Sequence, residues 1–301
     1  MSGDKQTIVI TGATGFTGLH ACRYALDSGM HVVSIGRTPC KINPSITNLE
    51  CDITNLDQVS SCIKDMKPDY ILHLAGCNNV KHSWTDPLQF LETNVLGTAN
   101  LLESIRTHAP YARTVIIGSA LEYSLKKNEK PIHPYSLSKT LQILLTEGWN
   151  DLFSMDLAIV RPSNLIGPGP SFGICSKIAA EIVQSERNFG SVNLQIQNMW
   201  TQCDFVDVRD AVRAYFKILQ SNTDIDHFEI GSGMSRRLED LIDEYKKLTS
   251  RPFSILEQVR KETTEIRLDL VPIQTLGWCP HYTIQQSLQD ILSYQRSINA
   301  N

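Results

Sequence analysis

Tyr135 and Lys139 stand four residues apart just after Pro134, a spacing that puts both on one face of a helix. A protonated lysine beside a phenol stabilises tyrosinate and pulls the tyrosine's ordinary value of about 10 toward neutrality. Tyr135 is therefore a candidate proton donor to a carbonyl oxygen while hydride arrives at the carbonyl carbon. Tyr-x-x-x-Lys also occurs by chance on helix surfaces, so this reading needs a partner site that brings hydride.

That partner site is legible near the start of the chain. The β-branched run Thr7 to Thr11 leads directly into Gly12-Ala13-Thr14-Gly15-Phe16-Thr17-Gly18 and then into a helical pattern. Glycines at a strand-to-helix turn let the backbone approach a pyrophosphate and aim amide N–H groups and the positive helix end at it. The spacing is Gly-x-x-Gly-x-x-Gly and departs from the Gly-x-Gly-x-x-Gly fingerprint, so its position at the first strand of a wound sheet carries the reading. Near the end of the second strand, where an acid would hold the adenosine ribose of NAD, stand Ser34-Ile35-Gly36-Arg37. A missing carboxylate removes repulsion from a 2′-phosphate and Arg37 can pair with one, which predicts NADP(H) with NAD(H) still open.

These residues need a frame, and the pattern around them supplies one. Short apolar runs at Thr7 to Thr11, His31 to Ile35, Tyr70 to Leu74, Thr114 to Gly118 and Asp156 to Arg161 alternate with helical stretches. The helical stretches are Phe16 to Asp27, Leu56 to Asp65, Asn94 to Thr107 and Tyr135 to Trp149. Such alternation predicts an α/β fold, a Rossmann-type doubly wound parallel sheet. After Arg161 a Gly/Pro-rich loop, Ser163 to Gly173, precedes less regular elements. We place a dinucleotide-binding Rossmann domain at residues 1–162 and a smaller, mainly substrate-binding lobe at 163–301, with some of its segments returning to the first domain.

Composition narrows the class. Hydrophobic content of 42% fits a folded globular chain and argues against disorder. A net charge of −4 without Lys/Arg blocks implies neither nucleic acid nor an anionic membrane as partner. The eight cysteines are scattered, with no CxxC pair and no metal-ligand spacing with histidine. We read them as reduced thiols of a cytoplasmic protein, expect no metal, and find neither a signal-peptide pattern nor a membrane-spanning run.

Taken together, the Gly12 to Gly18 turn, His73-Leu74-Ala75, Asn94-Val95-Leu96-Gly97-Thr98, Ser119 and the Tyr135/Lys139 pair resemble the extended short-chain dehydrogenase/reductase family. Asn164-Leu165-Ile166-Gly167-Pro168-Gly169, Asp204 to Asp210 and Gly277-Trp278 resemble its nucleotide-sugar-modifying members. Lys67 to Ala75, Val80 to Trp84, and Ile117 to Ser119 ahead of Glu122-Tyr123 are most similar to GDP-4-keto-6-deoxy-D-mannose reductases. The resemblance implies NADPH-dependent reduction of the 4-keto group of a nucleotide-linked 4-keto-6-deoxyhexose. GDP is the first choice of carrier, with dTDP, UDP and CDP open. It implies that Ser119 bonds the keto oxygen, Tyr135 protonates it, Lys139 binds the nicotinamide ribose, and Asn94 shapes the adjoining helix and a proton-relay water. It implies a cofactor site of Gly12, Thr14, Gly15, Phe16, Thr17, Gly18, Arg37, Asp52, Ile53, Leu74, Ala75, Gly76, Tyr135 and Lys139. For the substrate it implies Asn78, Ser119, Leu121, Asn164, Lys177 and Arg260, and for assembly a homodimer through helices Asn94 to Thr107 and Tyr135 to Trp149.

Two departures bear on the reaction. Related 4,6-dehydratases carry acids just after the Ser/Thr, whereas this chain has Ala120 and Leu121, with Glu122 one step later. On a strand one step reverses the side chain, which disfavours elimination of water. Members of the group also carry an arginine before the second lobe's Asp-Phe, where it meets the pyrophosphate, and here Cys203 stands there. Arg260 matches the group's other pyrophosphate arginine, and Lys177 is a candidate substitute. A nucleotide-sugar 4-epimerase retaining NAD, and a catalytically silent NADP-binding regulatory or assembly protein, remain the alternatives.

Overall fold

A computed structural model describes residues 5–123, 130–261, 263 and 267–299. The chain divides into two units, residues 1–161 with 212–228 and residues 162–211 with 229–301, so it crosses between them three times. In order, the first stretch runs β1 (Thr7–Thr11), α1 (Phe16–Asp27), β2 (His31–Gly36), β3 (Thr47–Glu50), α2 (Leu56–Met66) and β4 (Tyr70–His73). It continues through α3 (Val80–Ser83), α4 (Pro87–Leu91), a π-helical turn (Glu92–Leu96), α5 (Gly97–His108), β5 (Arg113–Ile117), α6 (Pro134–Phe153) and β6 (Leu157–Pro162). Then follow β7 (Asn164–Ile166), α7 (Ile174–Asn188), β8 (Val192–Ile196), β9 (Gln202–Asp207), α8 (Val208–Leu219), β10 (His227–Ile230) and β11 (Ser235–Arg237). The chain closes with α9 (Leu238–Lys246), β12 (Phe253–Glu257), α10 (Val271–Thr275) and α11 (Ile284–Ile298).

The first unit is built on a seven-stranded sheet of order β10-β6-β5-β4-β1-β2-β3. From β6 to β3 the neighbours pair in parallel. This is the Rossmann order, with the chain reversing direction across the sheet at β1 and β4. Strands covered on both faces lack polar alternation, which is why β1, β2 and β4 read as apolar runs. Val9, Val33, Ile71, Ile116 and Ile159 form one core cluster with Val59 and Ile63 of α2, Leu101 and Ile105 of α5, and Ile143 of α6. Each such side chain contributes about 1.5–3 kcal/mol on burial. β3 and β10 carry too little pattern to be found in sequence, being short and partly exposed. The stretch Asn94 to Thr107 is also not one regular helix, because its first turn is π-helical.

The second unit holds a three-stranded sheet, β11-β9-β7, and a parallel pair, β12-β8. Its core gathers Ile178 and Ile182 of α7, Leu241 and Tyr245 of α9, and Leu288 and Ile291 of α11. Among the described residues no helix is long and apolar enough to cross a membrane.

Candidate active site

At the carboxyl end of β1 the three glycines do different work. Gly12 has φ +69°, a conformation L side chains rarely adopt, and a Cβ there would stand 2.7 Å from the Ala75 amide nitrogen just beyond β4. A Cβ at Gly18 would collide with the Gly12 carbonyl oxygen, so α1 closes against the turn only with glycine. Gly15 is the N-cap of α1, whose N-terminus has no side-chain cap and no acid in its first turn. The Gly15 amide closes the turn on the Gly12 carbonyl at 3.0 Å, and the positive helix end suits an anion. Thr14 is exposed, Phe16 and Thr17 half-buried.

Arg37 follows β2 and is exposed. Asp52 follows β3, its carboxylate accepting from the Thr54 amide at 3.0 Å and the Thr54 hydroxyl at 2.8 Å. These bonds hold it below its usual range, and the Arg37 charge adds to the effect. The Ile53 carbonyl accepts from Asn100 Nδ2 at 3.1 Å, while Leu74 N–H donates to the Thr11 carbonyl and Ala75 N–H to the Thr11 hydroxyl. Gly76 is exposed above Asn94. A glycine-only cradle, an uncapped helix end and an exposed arginine in place of an acid fit a phosphorylated dinucleotide.

Ser119 lies two residues beyond β5, and Tyr135 and Lys139 ride on α6, whose first residue is Pro134 and whose N-cap is His133. The Tyr135 ring lies between the rings of Phe90 and His133, at centroid distances of 6.3 and 5.8 Å. Burial pushes its phenol up to about 12, the Glu122 charge adds to the rise, and a hydrogen bond with Ser119 opposes it. Lys139 is brought down to about 8 by burial, against the attraction of Glu122. Its Nζ donates to the Ile117 carbonyl and to Gln142 Oε1, both at 2.7 Å. The shared helix face therefore holds, but the tyrosine does not stand lowered toward neutrality, because desolvation outweighs the groups that favour its ionisation.

Glu122 does not lie on a strand, since β5 ends at Ile117. Ser119 to Glu122 is a turn closed by Glu122 N–H on the Ser119 carbonyl at 3.2 Å, so strand alternation does not apply. The carboxylate instead folds back, accepting from the Ser119 amide at 2.7 Å and from Arg161 Nε at 2.6 Å. Asn94 is fully buried in the π-helical turn. Its Nδ2 donates to the Cys77 carbonyl and to Ser138 Oγ, and its Oδ1 accepts from the Cys77 amide, so it ties the loop after β4 to α6. π-helical turns of this kind recur at functional sites.

The residues expected at the substrate divide between the units. In the first, Asn78 and Leu121 are exposed and Ser119 is buried, with Leu121 N–H donating to Ser119 Oγ at 3.1 Å. In the second, Asn164 Nδ2 donates to the Asp204 carbonyl at 3.0 Å. Lys177 lines an open groove of about 590 Å³ with Glu181, Asn193 and Gln195. Arg260 is exposed and lies 4.7 Å from the Trp200 ring, which Arg237 also approaches at 4.6 Å. The acids of the Asp204 to Asp210 motif bind the unit together. Asp204 accepts from Ser163, Ser232 and Met234, Asp207 from Arg209 and Ser287, and Asp210 from the His281 and Tyr282 amides. The Trp278 indole donates to the Asp210 carbonyl, which accounts for Gly277-Trp278 structurally. Phe90, His133 and Gln142 were not found from sequence, although Gln142 stands one turn beyond Lys139 and His133 directly precedes a proline at a helix start.

Comparison with known proteins extends these observations. A model of the NAD dependent epimerase/dehydratase family matches residues 8–231. The chain is 29% identical to GDP-6-deoxy-D-mannose reductase of Pseudomonas aeruginosa, over 96% of each. It is 26% identical to a putative UDP-glucose 4-epimerase of Methanocaldococcus jannaschii, over 97% of this chain and 99% of that one. In fold it resembles RMD from Pseudomonas aeruginosa complexed with NADPH, with a TM-score of 0.80 and 24% identity over 98% of this chain and 100% of that one. UDP-glucose 4-epimerase of Thermotoga maritima with UDP-glucose gives a TM-score of 0.85 at 20% identity, over 97% and 99%.

Proposed function

Because the chain belongs to the NAD dependent epimerase/dehydratase family, we propose that it reduces the 4-keto group of a nucleotide-linked 4-keto-6-deoxyhexose, GDP-linked first, using NADPH. The observation that carries this reading is the character of the Ser119 turn. Beside the Ser119–Tyr135 hydrogen bond stand Ala120 and Leu121, and the nearby Glu122 carboxylate is already bound to the Ser119 amide and Arg161. A carbonyl can be polarised and protonated there, while no carboxyl among those residues is left to drive elimination. The GDP-6-deoxy-D-mannose reductase of Pseudomonas aeruginosa, similar along nearly its whole length, supports the choice of substrate.

When bound, the nicotinamide supplies hydride to the carbonyl carbon. The protein's share is proton transfer and charge. Ser119 donates a hydrogen bond to the keto oxygen, Tyr135 delivers its proton there, and the Lys139 ammonium offsets the tyrosinate that remains. A proton from solvent then restores Tyr135. Gly12, Thr14, Gly15, Phe16, Thr17 and Gly18 hold the pyrophosphate in this reading, Arg37 the 2′-phosphate, and Asp52, Ile53, Leu74, Ala75 and Gly76 the nucleoside ends. Asn78, Leu121, Asn164, Lys177 and Arg260 hold the nucleotide sugar. We place the enzyme in the cytoplasm as a homodimer through α5 and α6.

The test is a panel of GDP-, dTDP-, UDP- and CDP-linked 4-keto-6-deoxy sugars assayed for NADPH oxidation, with the product identified by NMR. The GDP sugar is expected to turn over fastest, and Tyr135→Phe to lose about 10² to 10⁴ in rate while still binding NADPH. Interconversion of nucleotide-sugar 4-epimers without net cofactor consumption would replace the reductase with an epimerase, and near-normal turnover by Tyr135→Phe would remove the proton donor.

A further inference from the structure

The Lys139 ammonium is one end of a buried hydrogen-bonded chain that the mechanism above leaves unused. Gln142, which accepts from Lys139 at 2.7 Å, donates through Nε2 to Thr98 Oγ1 at 2.9 Å. The same hydroxyl lies 2.9 Å from His73 Nε2 and donates to the Asn94 carbonyl at 2.7 Å. His73 Nδ1 lies 2.8 Å from Thr11 Oγ1, which accepts from the Ala75 amide at 3.1 Å. Lys139, Gln142, Thr98, His73 and Thr11 are all buried.

Counting protons fixes the direction of every bond. Thr98 has one hydroxyl proton and gives it to Asn94, so its oxygen accepts from both neighbours. Gln142 must therefore turn its amide nitrogen to Thr98 and its oxygen to Lys139. His73 must carry its proton on Nε2, which leaves Nδ1 to accept the Thr11 proton. Burial together with the Lys139 charge keeps His73 neutral, which is what makes Nδ1 an acceptor. Turning any one member over sets two donors or two lone pairs against each other in a buried site.

We propose that Gln142, locked in one orientation by Thr98 and His73, is a positioning residue that fixes where the Lys139 ammonium points and keeps it charged during reduction. The proposal rests on Tyr135 and Lys139 being the proton-transfer pair. With two of its three N–H bonds committed to Ile117 and Gln142, the third has a direction set by tetrahedral geometry. The titratable groups that interact electrostatically with Lys139 are Glu122, which favours its charge, and His73, which is kept neutral.

The experiment compares Gln142→Leu, Gln142→Glu, Thr98→Val and Thr98→Ser. Two readouts are taken: the pH profile of kcat/KM with NADPH and a GDP-linked 4-keto sugar, and the NMR titration of Lys139 in lysine-labelled protein without cofactor. Gln142→Leu removes the acceptor and should move the Lys139 midpoint and the alkaline limb down, with about a tenfold loss of kcat/KM at neutral pH. Gln142→Glu keeps the acceptor for Lys139 and adds charge while giving up the donor to Thr98, and should move both up by roughly one unit. Thr98→Val should follow the leucine variant, while Thr98→Ser retains the hydroxyl and should behave as the parent. If Gln142→Leu and Gln142→Glu leave the Lys139 titration where it was, the network is packing alone and the proposal is wrong, whether or not Thr98→Val folds. Failure of the reductase reading shows separately, as normal turnover in Tyr135→Phe, because the NMR titration needs no turnover.

Discussion

Burial acts in opposite directions on the two groups proposed to handle the proton, raising Tyr135 to about 12 and lowering Lys139 to about 8. The lysine therefore loses its proton before the tyrosine as the pH is raised. Reduction needs a protonated phenol and a charged ammonium, and both are present below that value. We therefore expect kcat/KM to be level below pH 8 and to fall as the pH rises through about 8, measured with NADPH at saturation. A limb near 10 or above would assign the loss to tyrosine. Arg37 gives a second expectation at this scale. It is exposed after β2, close enough to Asp52 for its charge to be felt there. Loss of a charge-assisted contact costs about 1.5–3 kcal/mol, or roughly ten- to a hundredfold in affinity, so Arg37→Ala should weaken NADPH and leave NADH unchanged. Fluorescence titration with both cofactors checks it, and equal binding of the two by the parent protein would remove the role given to Arg37. Tyr135 and Lys139 were legible because helical spacing puts them on one face, whereas Ser119 came only from the family resemblance. Glu122 was misread because β5 ends at Ile117, and nothing in the residue types marks where a strand gives way to a turn.

Elements show the same division between local and distant causes. β1, α1, β2 and the helices α2 and α6 lie close to where hydrophobic periodicity puts them, since period and capping act within a few residues. The demand for glycine at Gly12 comes from the backbone beyond β4, and the π-helical turn comes from Asn94 reaching Cys77 and Ser138. Neither partner is near in sequence, so periodicity had no access to them. His73 on β4 makes this long-range wiring measurable. Fully buried between Thr11 and Thr98, it is held down to about 3, below the ordinary value of 6.5. Between those values the unfolded chain binds a proton that the folded chain refuses, so stability is fully present above about pH 6.5 and is lost as pH falls toward 3. The slope should be on the order of 1 kcal/mol per pH unit from this residue. Urea unfolding at a series of pH values should show it, and His73→Gln should flatten the slope below pH 6.5. An unchanged slope in that variant would mean that His73 is protonated in the folded protein or exposed to water.

At the scale of the whole molecule, the doubly wound order of the first unit followed from alternating strand and helix patterns, and a return of later segments to the first domain was expected, but which segment returns was not legible. Residues 212–228, the greater part of α8 with the start of β10, belong with the first unit, and residues 229–301 with the second. Such returns depend on which sheet a late segment joins, and the strongly apolar residues of α8, Val212, Tyr215 and Phe216, are compatible with a core in either place. The surface of α6 leads to the last expectation. Leu141, Leu144, Leu145, Gly148, Trp149 and Leu152 recur at the spacing of one helical face. Toward the carboxyl end of the helix, Leu144, Leu152 and Phe153 are exposed, at 41%, 74% and 44%. Leu145 and Trp149 are only partly covered by the core of their own unit. An apolar stripe with half its width in water is the kind of surface a stable partner covers, and a two-fold axis would lay each α6 against its copy. We expect light scattering at micromolar concentration to give twice 33.8 kDa for the parent protein. The double variant Leu144→Glu with Leu152→Glu would place charges across the stripe at residues the first unit's core does not need, so it should fold, retain NADPH binding and return the mass to 33.8 kDa. A monomeric parent would leave the stripe without the proposed partner, and a dimer that survives both glutamates would place the contact on some other face.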